Sequence, residues 1–271
     1  MAVDSWVVVA GGAGFLGCHL TRAIVATGRG VVCIDDVSTG RWENLDGLSP
    51  ERVIRIEHDV RQPGVGPVRA AMASAVASAM TSAGTGSGGT GSGGVVSAVC
   101  NLASPASPPA YLARPIDTLE IGSLGTQNLI ELALAHDARF LQASTSEIYG
   151  DPLVHPQTEE YWGNVNSIGP RSVYDEAKRY GEAICSAYER ARSLDLRMVR
   201  IFNTYGPRMQ ADDGRVVTNF INQALRNQPI TIFGQGTQTR SFCFVPVSLM
   251  ISSANCRIVI SSGLPMFTGY G

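Results

Sequence analysis

The chain has 271 residues, enough to bury a sizeable core as one large α/β domain or as one domain with a smaller lobe. Its 21 basic residues nearly cancel its 23 acidic ones, and no block of like charge occurs. That excludes an electrostatic footprint for nucleic acid or an anionic membrane surface and favours a compact small-molecule ligand.

Ser5 to Ala10 (SWVVVA) is an apolar, β-branched run that stops at glycines, which predicts a buried strand. Gly11, Gly14 and Gly17 follow it, and Leu16, Leu20, Ala23, Ile24 and Thr27 then recur at helical spacing up to Gly28. A second strand, Val31 to Asp36, ends in acid. Strand, glycine loop, helix and acidic strand end are the first βαβ unit of a dinucleotide-binding fold. Gly11 and Gly14 let the backbone approach a pyrophosphate, while Gly17 lets the helix pack close to the strand. Asp35 stands where a carboxylate accepts hydrogen bonds from ribose hydroxyls and repels a 2′-phosphate, so NAD is expected rather than NADP. Phe15, Leu16, Thr39 and Gly40 complete the expected cofactor set on this side.

Val53 to Val60 predicts a third strand, with Asp59 and Val60 near the adenine edge. An Ala-rich, helix-compatible stretch follows, and residues 82–94 are a Gly/Ser-rich segment expected to be a flexible loop. Ala98 to Ala103 reads as the fourth strand, and Ser104 to Pro109 as a rigid loop leading to Tyr111. A long helix from about Pro115 to Asp137 places Leu129, Leu132, Ala133 and His136 on one face. Strand five, Arg139 to Ala143, then delivers Ser144, Thr145, Ser146 and Glu147 at its carboxyl end.

Tyr174 and Lys178 lie four apart, so a helix puts them on one face, where an ammonium would lower the phenol pKa towards a working base. Such pairs are also common on exposed helix faces. Behind a dinucleotide fingerprint and beside a strand-end hydroxyl cluster, the pair reads as acid–base machinery for a secondary alcohol. Glu147 reads either as a local turn carboxylate or as a proton-handling group at a second carbon. The six cysteines show no CxxC or His/Cys spacing for a metal, and read as buried thiols in a reducing compartment. No charged leader or run of about 18 apolar residues is present, which makes a cytoplasmic protein without a membrane segment the expectation.

The segments GGAGFLGCHL (11–20), STSEIYGDPLVHPQTEEYWGNVN (144–166), IGPRSVYDEAKR (168–179), RIFNTYGPRM (200–209) and DGRVVTNFINQAL (213–225) resemble the UDP-glucuronate decarboxylase (UDP-xylose synthase) family of extended short-chain dehydrogenase/reductases. The resemblance runs to about Val245 and implies a Rossmann-like doubly wound parallel sheet with a small, apparently incomplete C-terminal substrate lobe. By that analogy residues 1–198 hold NAD and the catalytic groups, and residues 199–271 form a partial sugar-nucleotide lobe whose tail, 246–271, matches nothing in the family. Thr145 would bond the sugar C4 hydroxyl, Tyr174 would be its base with Lys178 holding the nicotinamide ribose, and Ser146 and Glu147 would lie by the glucuronate carboxylate and C5. Ala103 joins the cofactor set, and Tyr111, Asn203, Arg208, Val217 and Arg240 join the UDP-sugar set. Asn101 stands where the family commonly has His, and residues 120–122 depart from its Lys and Asn. The resemblance further implies a homodimer. The alternatives are an NDP-sugar 4,6-dehydratase or 4-epimerase, or an NAD-binding protein without activity.

Overall fold

The computed structural model describes residues 3, 5–62, 70, 73–74, 95–232, 234–235, 240–245 and, as backbone alone, 258–261. The Gly/Ser-rich segment 82–94 and the rest of the tail lie outside the described residues.

Seven parallel strands form one sheet in the order β3-β2-β1-β4-β5-β6-β9. They are β1 (Ser5–Ala10), β2 (Gly30–Asp35), β3 (Val53–Glu57), β4 (Val95–Asn101), β5 (Arg139–Thr145), β6 (Leu196–Ile201) and β9 (Ile258–Ser261). The chain winds outward from β1 to β3, returns to the centre as β4, and winds the other way. β1 and β4 therefore mark the switch point at which such sheets bind ligands. β9 pairs with β6 from Met198 against Ile258. Two short strands, β7 (Asn203–Tyr205) and β8 (Phe242–Phe244), pair separately in parallel.

Every residue of β2 is buried, as are five of six in β1, because helices cover both faces. Trp6, Val8 and Ala10 point to one core with Ile130, Leu132 and Phe140, and Val7 and Val9 point to the other with Cys18 and Leu45. Helix α1 (Phe15–Ala26) buries Gly17, Cys18 and Thr21 and packs Leu20 and Ile24 beside them. Ala23 and Thr27, expected on that inward face, are exposed instead. The expected fourth strand begins and ends earlier than its sequence suggested, and the loop before Tyr111 is partly helical, as α2 (Pro108–Ala113).

The long helix forms as one continuous rod with a defect. α3 (Pro115–Glu120) runs into a π-helical turn, Ile121–Gly125, and on into α4 (Thr126–Ala135). The widened turn sets Gly122 against α5 (Ser172–Arg192), where an added Cβ would lie 2.7 Å from the Ala177 Cβ. Glycine at position 122 thus lets two helices come into close contact. The last described helix is α6 (Val216–Leu225).

Candidate active site

The glycine loop is shaped by what an extra carbon would strike. Gly11 has φ +78° and would put a Cβ 2.7 Å from the Leu102 carbonyl carbon after β4. A Cβ on Gly17 would lie 2.0 Å from the Gly11 oxygen, so only glycine lets α1 start this close to the turn. Gly14 caps α1 without a side-chain hydrogen bond, leaving the first-turn N–H groups of Phe15, Leu16 and Gly17 at the positive end of the helix dipole. These residues fit a diphosphate: the cradle is open, lined by backbone, and faces the cleft.

Asp35 closes the same turn from the end of β2. Its Oδ2 accepts from the Ala13 N–H and its Oδ1 from the Val37 N–H, both at 2.9 Å, and burial holds its pKa above the usual carboxylate range against those bonds. Its oxygens border a small cavity of about 60 Å³ with Gly11, Gly14, Thr39, Asp59, Val60 and Ala103. The Asp59 carboxylate is engaged by Arg61, which also reaches Asp117 and Glu120 at 2.5 and 3.0 Å and ties the end of β3 to α3. Gly40 lines neither cavity; it packs on the Ala13 backbone, where a Cβ would come within 2.9 Å. Asn101 is buried and donates to Gln142 and Thr126 while its Oδ1 accepts from the Ala103 N–H.

The main cleft, about 1630 Å³, opens over the carboxyl ends of β1, β4 and β5. Thr145, Ser146, Glu147, Tyr174 and Tyr111 line it, and Asn203, Arg208, Val217 and Arg240 line its far side. Thr145 ends β5 and its Oγ1 accepts from the Glu147 N–H at 3.3 Å, which starts the 3-10 turn Ser146–Tyr149. Tyr174, on the first turns of α5, stacks on Tyr111 with ring centroids 5.1 Å apart. Strand end, turn and helix are fastened together below the cleft. Ser144 donates to Glu182 of α5 at 2.6 Å, Arg200 of β6 grips both Glu182 oxygens at 3.0 and 2.8 Å, and the same guanidinium reaches the Tyr149 hydroxyl at 2.9 Å. Removing one partner of so buried an ion pair leaves the other charge uncompensated.

Lys178 does not line the cleft. It is buried behind Tyr174, donates to the Ala143 carbonyl at 3.0 Å, and lies 5.8 Å from the Tyr174 ring centroid. The expected lowering of the Tyr174 phenol is reversed by burial, which pushes it up to about 12; a hydrogen bond with Thr145 and the charge of Arg215 oppose that rise. Desolvation likewise brings Lys178 down to about 8, so its charge is itself weakly held.

Three charged groups of the site escaped the sequence reading. Arg171 bonds the Glu147 carboxylate at 2.5 Å across 24 residues of chain. Asp175, one residue beyond Tyr174, is buried in the same wall. Arg215, held by Asp213 at 2.7 Å, brings a cation towards Tyr174 from the edge of α6. Only position could have pointed to them: Arg171 and Asp175 flank Tyr174 in the segment already singled out. Among the described residues no group of His, Cys, Asp and Glu is placed to hold a metal, and no helix is long and apolar enough to cross a membrane.

Comparison with known proteins places this geometry. UDP-glucuronic acid decarboxylase 1 of Xenopus tropicalis is 44% identical over 240 residues, covering 88% of this chain and 50% of that protein. UDP-glucuronic acid decarboxylase 2 of Arabidopsis thaliana is 46% identical, covering 88% of this chain and 48% of its own. The chain spans about half the length of the curated relatives it matches. Among solved structures, the UDP-glucuronic acid 4-epimerase of Bacillus cereus, in complex with UDP-glucuronic acid and NAD, superimposes with a TM-score of 0.74 at 23% identity, covering 96% of this chain and 78% of that one. The description "NAD dependent epimerase/dehydratase family" matches residues 94–246, more than half of the sequence, and the chain belongs to that family.

Proposed function

We propose that this chain binds NAD and decarboxylates UDP-glucuronate to UDP-xylose. The observation that carries the reading is the convergence of Thr145, Glu147 and Tyr174 on one cleft beside the glycine cradle, in a chain about 45% identical to curated UDP-glucuronic acid decarboxylases. The catalytic set is Thr145, Ser146, Glu147, Tyr174 and Lys178. NAD, when bound, supplies the two-electron acceptor and later the donor for the sugar C4, and its cationic ring favours the Tyr174 phenolate.

The chain's own residues do the proton work. Thr145 and Tyr174 hold the C4 hydroxyl between them, and Tyr174 takes its proton. A ketone at C4 makes the sugar a β-keto acid, whose carboxylate departs as CO2 because the electron pair left on C5 is delocalised as an enolate. Glu147, oriented by Arg171, lies by the sugar carboxylate and C5, where it promotes the departure of CO2 and then governs the proton that returns to C5. Lys178 orients the nicotinamide ribose from behind Tyr174, and Asp35 takes the adenosine ribose. Asn203, Arg208, Val217 and Arg240 receive the UDP-sugar, and residues 199–271 act as the substrate lobe to a cofactor domain of residues 1–198.

Leu112, Ile116, Leu119 and Leu124, exposed on α2, α3 and the π turn, join Tyr180 of α5 in an apolar face that suits a homodimer. The buried thiols Cys18, Cys33, Cys100 and Cys185 suit a reducing, cytoplasmic setting. The test of the activity is product analysis after incubation with NAD and UDP-glucuronate. A UDP-pentose with one CO2 per sugar supports the decarboxylase, whereas UDP-galacturonate would replace it with an epimerase, and a 4-keto-6-deoxy product from a parallel incubation with UDP-glucose would replace it with a dehydratase.

A further inference from the structure

Asp175 is a buried carboxylate to which that reaction scheme gives no part. It is 9% exposed, and its Oδ1 is buried without a hydrogen-bond partner. An unsatisfied buried oxygen is costly, and a fold retains one where something else satisfies it. The charged and titratable groups around it come from every neighbouring element: Glu147 from the 3-10 turn, Arg171 at the start of α5, Glu176 and Arg179 along α5, and Tyr111 from α2. The Arg171 guanidinium, whose charge acts on Asp175, is already bonded to Glu147 at 2.5 Å. Burial first, and then the charge of Glu147, push Asp175 up to about 6 against the pull of Arg171.

A ligand bearing its own carboxylate brings a third anion to a wall that holds two carboxylates and Arg171. Protonating Asp175 removes one of those charges and turns a repelling oxygen into a donor. We propose that Asp175 is a specificity-determining residue of this cleft: in its acid form it donates a hydrogen bond to the carboxylate of an incoming sugar nucleotide, so that binding a carboxylated sugar takes up a proton from solvent. No covalent bond to carbon changes; one proton moves from water to an Asp175 oxygen. A sugar nucleotide with a neutral C6 hydroxyl gives no such drive. The inference rests on the decarboxylase reading of the site and deepens it.

The test is isothermal titration calorimetry at pH 7 in buffers of different ionisation enthalpy, on NAD-loaded protein carrying Tyr174→Phe so that bound sugar does not turn over. UDP-glucuronate is expected to bind with uptake of most of one proton, and UDP-glucose with none from this group. Adding Asp175→Asn is expected to abolish the uptake while UDP-glucose binds as before. Uptake that persists with Asp175→Asn, or UDP-glucuronate binding without uptake, overturns the inference and leaves the decarboxylase reading standing. UDP-glucuronate failing to bind at all sinks both. In the ligand-free parent the 13Cγ signal of Asp175 is expected to titrate near pH 6, and to move lower in Glu147→Gln. An ordinary carboxylate midpoint contradicts the proposal without any ligand.

Discussion

The two sides of the cleft are built differently. On the sheet side, Thr145 and Tyr174 stand on β5 and α5, which are clamped by Ser144, Glu182 and Arg200 and backed by a core that includes Ile130 and Phe140 at 0% exposure. On the opposite side, α6 buries only Thr218, while Val216, Ile221 and Leu225 are exposed, Leu225 by 79%. Phe242 and Phe244 of the two-stranded β7–β8 sheet are also exposed. The difference separates Thr145 and Tyr174, held by buried charge and packing, from Asn203 and Val217, which are carried by thinly packed elements.

The largest expected effect tests the sheet side. Tyr174→Phe keeps the stack on Tyr111 but removes the acid–base hydroxyl, and it is expected to lower the decarboxylation rate by about 10³-fold, within the usual range for such groups, with NAD affinity unchanged. Parallel rate and cofactor-binding assays check it. An equal loss from Val217→Ala would put the chemistry on the lobe and break the comparison.

Next comes packing. Ile130→Ala opens a cavity in a closed core and is expected to cost about 3 kcal/mol in urea unfolding, while Leu225→Ala, on the lobe surface, is expected to cost no more than about 0.5 kcal/mol. Similar costs at both sites would mean that the lobe is packed as tightly as the sheet.

Lys178 sharpens the contrast through pH. Its folded value near 8 lies below the ordinary 10.5, so between those values the unfolded chain holds more protons and stability rises with pH. Below pH 8 the buried ammonium is a standing cost. Lys178→Met is therefore expected to stabilise the fold by about 2 kcal/mol at pH 7, a gain that shrinks as pH rises towards 10, while weakening NAD binding. Denaturation at both pH values checks the sign; destabilisation by Lys178→Met at pH 7 contradicts it.

Much of this architecture was legible in the sequence because its signals are local. The run from Ser5 to Asp35 spells strand, glycine turn, helix and acidic strand end, and a Cβ at Gly17 strikes the Gly11 oxygen as that spacing implies. Tyr174 and Lys178 share a helix face because they are four apart, but whether that face is wet or buried is a tertiary fact. Burial lowers Lys178 and lifts Tyr174, where the sequence suggested a lower value for the phenol. Arg171 illustrates the same limit. Its partner Glu147 is 24 residues away, and only the return of α5 over the end of β5 brings them to 2.5 Å. The π turn at Ile121–Gly125 and the β7–β8 pair are equally non-local, the first serving a contact with Ala177 and the second joining segments far apart in sequence.

In the proposed function Glu147 makes this cleft a decarboxylase rather than a simple alcohol oxidiser. The most direct test of that role is a single-turnover reaction of the NAD-loaded protein with UDP-glucuronate labelled with 13C at C6, following labelled CO2 and NADH absorbance together in the parent and in Glu147→Gln. The account requires the parent to release CO2 and return to NAD, and the variant to form NADH at close to the parental rate while CO2 release falls by about 10²-fold or more. Equal CO2 release in the two proteins would contradict it.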